Sequence, residues 1–171
     1  MNDFKQYEEA IARHHGTLNS KTTPVYCWDF NNIFREEVKN FFLDYNKLNS
    51  IASQSKWIDN GWNFEQSLKE EVIILTDAKL RIVFASHNIT AMNGYTANEV
   101  LGNSPRMFQG EHTNATTSTE IRNAVIEMKP FEKTLINYKK NGETYICLIK
   151  GYPVFNKKGE LSHYIAFEKA A

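Results

Sequence analysis

A chain of 171 residues with 42% hydrophobic content can build one main core with an extra element attached. Lysine plus arginine number 20, as do aspartate plus glutamate, so the net charge is zero. That excludes the broad positive field that nucleic acid or an anionic membrane would require, and the longest apolar runs, such as residues 72–75, fall far short of the ~20 residues of a membrane span.

The first 70 residues read as a helical extension. Residues 3–15 carry Phe4, Tyr7, Ala10 and Ile11 at three- and four-residue spacing and stop at Gly16, which predicts a short amphipathic helix. After a polar, proline-containing link over 17–24, Asp29 is placed to cap a longer helix. Its Ile33, Phe34, Val38, Phe41, Phe42, Tyr45 and Leu48 form one broad apolar face. Residues 56–68 add Trp57, Ile58, Trp62, Phe64 and Leu68 around an Asp59-Asn60-Gly61 turn. These aromatic-rich segments are expected to cover one face of a sheet and, because the apolar face is broad, to build a homodimer interface.

From Glu71 the pattern changes. "EVIILTD" and "LRIVFAS" are short β-branched runs joined by a tight turn at Asp77-Ala78-Lys79. A mostly helical stretch follows: residues 89–93 closed by Gly94, "ANEV" capped by Thr96, a short helix opened by Ser104-Pro105, and residues 119–128 with Ile121, Val125 and Met128 on one face. Three long strands are predicted over 131–139, 144–155 and 161–168, linked by Asn141-Gly142 and Lys157-Lys158-Gly159. Strand, strand, helices, strand, strand, strand is the order of an α+β sandwich. Cys27 and Cys147 fit no metal spacing, and no basic-then-apolar leader is visible. A reduced cytoplasmic setting is therefore expected, and the triplets at Asn88 and Asn114 are read as chance matches to a glycosylation signal.

This order, together with "NGYTANEVLG", "FQG", "LINYKKNGETY", "YPVFNKKGE" and "YIAFE", resembles the PAS domain family over roughly residues 71–168, and within it the light-oxygen-voltage (LOV) branch. The resemblance implies a PAS fold over 71–171, with a five-stranded antiparallel sheet, helices over one face and a pocket between them. It also implies a sensory module that pairs with itself or a partner. LOV domains carry the signature G-x-N-C-R-F-L-Q-G, whose cysteine forms a photoadduct with bound flavin mononucleotide (FMN). Here residues 102–110 read "GNSPRMFQG", so Pro105 stands where that cysteine would be and Ser104 stands for the asparagine. Arg106 and Gln109 match the family, as does Arg122 in "EIRNAV", a second phosphate-contacting position. Asn137 in "LINY" matches an asparagine that bonds the pyrimidine edge of the flavin, whereas Cys147 and Glu168 replace the asparagine and glutamine that bond the rest of that edge.

Each of these residues also has an ordinary role open to it. Arg106 and Arg122 can clamp a phosphate or carboxylate, or be solvated or paired with acids such as Glu99 or Glu111. Gln109 and Asn137 can bond a ligand edge or backbone. Ser104-Pro105 is the usual start of a short helix, Cys147 a small buried hydrophobe, and Glu168 a carboxylate expected to reach water or a lysine at its strand end. Haem is not expected, since the helix from which haem-binding PAS domains take their ligand holds no histidine here. No acid pair, nucleophile-base pair or phosphate loop points to an enzyme. The expected function is a non-enzymatic PAS sensory and interaction module that signals through a partner protein and forms no covalent photoadduct. The alternatives are a weak noncovalent binder of FMN or another small anion, and a dimerisation domain with a filled pocket.

Overall fold

The structure is a computed structural model in which residues 26–170 are described, with side-chain detail from Phe34 onward. The helix expected over 3–15 and its link therefore lie outside the described residues. Helix α1 (Tyr26–Gln54) runs through Asp29, so that aspartate sits inside the helix rather than at its start. Residues from Val38 to Ala171 make one compact unit, and α2 (Phe64–Glu70) within it is capped by Asn63, whose Oδ1 accepts from Gln66 N at 3.1 Å.

Strands β1 (Val72–Asp77), β2 (Ile82–Ala85), β3 (Phe131–Tyr138), β4 (Thr144–Phe155) and β5 (Leu161–Ala170) form one sheet in the order β2-β1-β5-β4-β3. Every pairing is antiparallel. The hairpin turns behave as their residues require: Gly142 and Gly159 adopt φ of 88° and 79°, a region that costs glycine little. The turn from β1 to β2 is closed by the Asp77 carboxylate, which accepts from the backbone N of Lys79 and Arg81.

Strand β1 explains its own unbroken apolar run. Successive side chains point to opposite faces, and here both faces are covered. Ile73 and Leu75 join Phe84, Val154 and Phe167 in a cluster with Leu48 of α1, Trp57 and Leu68. Val72 and Ile74 face the other way, packing with Ile82, Ile89, Val100 and Phe108. Helices α3 (Ile89–Asn93), α4 (Ala97–Val100), a 3-10 helix (Pro105–Phe108) and α5 (Ala115–Ile126) lie on this second side. Gly94 closes α3 at φ 80° and Thr96 caps α4, both as the sequence suggests, and Glu99 completes a capping box with Thr96.

Two expectations change. Helix α5 begins at Ala115, capped by Asn114, four residues before the expected start, and Met128 lies past its end at φ 53° and exposed. The apolar face of α1 is only partly used. Leu48 is fully buried and Phe41 packs against the outer cluster, but Phe34, Phe42 and Leu43 are each more than half exposed.

Candidate functional site

The stretch from Gly102 to Thr113 builds one wall of a cavity. Ser104 caps the 3-10 helix through its Oγ, which accepts from Arg106 N at 3.4 Å, and Pro105 takes the first helical position. Phe108 is buried and meets Tyr95 edge-on at 5.8 Å, which pins the wall to the helical layer. Gly110 then lies against the Tyr138 ring so closely that a Cβ there would stand 2.5 Å from it. Beyond it, Thr113 Oγ1 donates to Ile136 O at 2.6 Å and His112 N donates to Tyr138 Oη at 2.9 Å. The segment is thus tied to β3 at its far end. It is both a connector and a pocket wall.

The opposite wall is α5, whose Ile121 and Val125 face the same cavity while no residue of the helix is fully buried. That is the signature of a helix laid over space rather than over packed side chains. It is held in place by Tyr164 Oη of β5, which donates to Val125 O at 2.6 Å, and by an ion pair from Lys133 of β3 to Glu120. The floor is the sheet. Gly151 of β4 lets the Phe131 ring lie flat across it, since a Cβ at that position would come within 2.3 Å of the ring. The cavity has a volume of about 500 Å³, within the size range of pockets that hold small molecules, and is partly open to solvent, with Arg106 and Arg122 themselves exposed.

All four residues singled out from the sequence line this cavity: Arg106, Gln109, Arg122 and Asn137. Among the described residues neither guanidinium has a hydrogen-bond or ion-pair partner, and neither does the Gln109 amide. The alternative of pairing with Glu99 does not occur. Glu99 is taken by Lys140, and this contact, with two bonds from Thr96, holds its carboxyl well below the usual range, at about 2. Asn137 is buried and its Oδ1 has no hydrogen-bond partner, so backbone does not satisfy it. A buried acceptor left open costs on the order of 1–3 kcal/mol; a ligand donor in the cavity would relieve that cost.

Glu168 corrects the expectation made for it. It is buried at the cavity floor rather than reaching bulk solvent or a lysine, because its neighbours in the sheet are Val72 of β1 and Ile149 of β4. Its one side-chain partner among the described residues is the Cys147 thiol, which donates to Oε2 at 3.7 Å. Burial pushes its carboxyl up to about 7. Burial also raises Cys147, with the facing carboxyl adding to the effect, so the thiol is a poor nucleophile and matches the small-hydrophobe expectation. Tyr145, next along the same face of β4, is likewise raised, first by burial and then by Cys147 and Glu168.

Three polar groups escaped the sequence reading. Thr76 lines the cavity with an unpartnered Oγ1; the side-chain NH2 of Asn93 is buried without a partner, while its Oδ1 accepts from Tyr95 N at 3.1 Å; and the Tyr145 hydroxyl is buried near the Asn93 and Asn137 amides without meeting either at hydrogen-bond geometry. Thr76 could have been found, since it shares the inward face of β1 with Val72 and Ile74, where a hydroxyl is out of place unless something bonds it. Among the described residues no group of three or more histidines, cysteines or acids is placed to hold a metal, and no helix is long and apolar enough to cross a membrane.

Comparison with known proteins decides the family. The PAS domain profile matches residues 70–169. The chain belongs to the PAS domain family. Phototropin-2 of Oryza sativa subsp. japonica is 33% identical over 122 residues, 68% of this chain and 14% of the relative. A nitrogen fixation regulatory protein of Klebsiella oxytoca is 31% identical over 97 residues, 57% of this chain and 20% of that protein. The light-state structure of the blue-light photoreceptor Aureochrome1 LOV superposes with a TM-score of 0.58 at 27% identity, covering 62% of this chain and 85% of that one. This PAS domain chain thus has LOV relatives in sequence and in structure, and it spans less than a quarter of those two curated proteins.

Proposed function

We propose that this PAS domain is a sensory module that holds FMN, or an anionic ring compound of that size, noncovalently in the cavity and passes its occupancy to a partner protein. The observation that carries the reading is the joint placement of two guanidiniums without acid partners and an orphaned Asn137 acceptor around one apolar space of about 500 Å³. Arg106 and Arg122 suit a phosphate, since guanidinium forks bond its oxygens in pairs. Asn137 suits an N–H on a ring edge. The open space speaks against the filled-pocket alternative, and the lineage of LOV relatives makes a flavin the first ligand to try. A flavin supplies redox and light-absorbing chemistry when bound; the chain supplies the clamp, the edge bonds and the exclusion of water.

Photoadduct formation is not part of the reading, because Pro105 lines the cavity where the resemblance would put the reactive cysteine, and no cysteine is among the described residues that line it. Titration of the purified full chain with FMN should give saturable binding of one FMN per chain. Blue light should leave the flavin absorption near about 450 nm unchanged. Absence of any FMN binding refutes the ligand reading, and reversible bleaching with slow dark recovery refutes the adduct-free one. The sensory role is non-enzymatic on this reading. The half-exposed aromatic face of α1 supports self-association through the amino-terminal 70 residues, the PAS domain proper following from residue 71.

A further inference from the structure

The cavity floor holds a group that the clamp described above leaves unused. Glu168 presents its carboxyl to the cavity, with Oε2 taken by the Cys147 thiol and Oε1 bonded to nothing among the described residues. The groups around it are few. Strand β4 contributes Cys147 and Tyr145, both neutral near pH 7; β3 contributes Asn137; β1 contributes Ile74 and Thr76. From the helical layer Arg106 and Arg122 line the same space, but neither bonds the carboxyl. An ionised carboxylate at this spot would have no cation and one weak thiol donor, so it would be left almost unsolvated once a ring displaced the water above it.

We propose that Glu168 is a specificity-determining residue that acts as a neutral acid: its O–H donates to an acceptor on the ligand ring, and ligand binding is therefore coupled to proton uptake. This rests on the cavity being the ligand site. With Asn137 Oδ1 as an open acceptor on the same floor, the pair selects a ring edge that offers both a donor and an acceptor, such as the N–H and carbonyl of an imide. Two effects act in the same direction when an anionic ring compound is seated. The ring removes water from the carboxyl, and the anion neutralises the arginine field that would otherwise favour ionisation. Both hold the proton on Glu168. Since burial already brings the carboxyl to about 7, the free protein shares the proton with solvent near neutrality, and the bound protein keeps it.

The test uses the full chain with FMN as probe. Wild-type affinity should weaken by roughly 25-fold between about pH 6.5 and 8.5, and E168Q should lose that dependence. Ionisation of the FMN phosphate is common to both proteins and cancels in the comparison. Calorimetry of the wild type at about pH 8, where the phosphate is fully ionised, needs no variant. The binding enthalpy there should change with the ionisation enthalpy of the buffer, reporting close to one proton taken up. A wild type and E168Q with the same pH profile, or a wild-type enthalpy indifferent to buffer, overturns the proposal and leaves the cavity as an FMN site. Failure of FMN to bind at any pH overturns the flavin reading and this proposal with it.

Discussion

Glutamine at position 168 would match the native side chain in shape and lack its proton, so E168Q isolates the cost of the buried carboxyl. In the unfolded chain that group titrates at its ordinary 4.5, and in the folded protein at about 7. Between these values the folded protein holds a proton that the unfolded chain has released. Stability therefore declines as pH rises from about 4.5, and the loss is complete above about pH 7. At about 1.4 kcal/mol per pH unit the penalty amounts to about 3 kcal/mol, a large part of the 5–15 kcal/mol that typically holds a domain together. Glutamine carries no charge to bury. Whatever it costs to fit an amide beside the Cys147 thiol is the same at every pH. Urea unfolding of both proteins from about pH 4.5 to about pH 8 should show the balance moving toward the variant by about 3 kcal/mol at the alkaline end. A difference that stays constant with pH would refute the reasoning, because it would mean that the folded protein lets Glu168 ionise at its ordinary value.

Arg106→Ala and Arg122→Ala should each weaken FMN binding by roughly ten- to a hundredfold, the range for a hydrogen bond to a charged group, with riboflavin affinity little changed; fluorescence titration of both ligands checks this, and equal losses for riboflavin would take the phosphate away from the arginines. Gly151→Val forces the Phe131 ring out of its place over the strand, where a Cβ would stand only 2.3 Å away, and into the cavity. Thermal unfolding should show a loss of about 1–3 kcal/mol, and titration should show FMN binding abolished; unimpaired binding would mean that the ring moves elsewhere. Phe42→Glu should convert a dimer to a monomer in sedimentation without unfolding the chain, since Phe42 is half exposed whereas its neighbour Phe41 packs inward. An unchanged sedimentation coefficient would move self-association off this helix.

The strands were legible because their residues state both ends and both faces. Strand β4 begins after Asn141-Gly142 and ends before Lys157-Lys158-Gly159, and its observed span, Thr144–Phe155, is the span read from the chain. Ser104-Pro105 and Thr96 were legible for a similar reason, since a cap lies within three residues of the backbone it serves, although the part Glu99 takes in the capping box was not read. Glu168 was not. Alternation along β5 gives its face, but its burial depends on Val72 and Ile149 pairing with it from two strands far away in sequence, and on β5 continuing to Ala170. The start of α5 was missed because Ala115, Thr116 and Thr117 carry no apolar stripe; only Asn114, accepting from Thr117 N at 3.0 Å, marks it. The apolar face of α1 was read as a single surface. In the fold Leu48 and Phe41 turn to the sheet, while Phe42 and Leu43 do not.

Strand β5 joins the cavity to the other side of the sheet with no intervening element. Ala166 and Glu168 face the cavity, and Phe167 between them enters the outer cluster, where its ring lies 6.0 Å from both Trp62 and Tyr152. That cluster also holds Leu48 of α1 and Trp57, whose indole N–H donates to His163 Nδ1 at 3.2 Å, again on β5. A change in how Glu168 is bonded or charged therefore acts on a strand whose next side chain is packed against the amino-terminal elements. Close-packed interiors transmit such a displacement rather than absorb it. On the proposed reading the ligand is sensed on the helical side and the response is carried through the sheet to the side where α1 leaves Phe42 and Leu43 exposed for a partner.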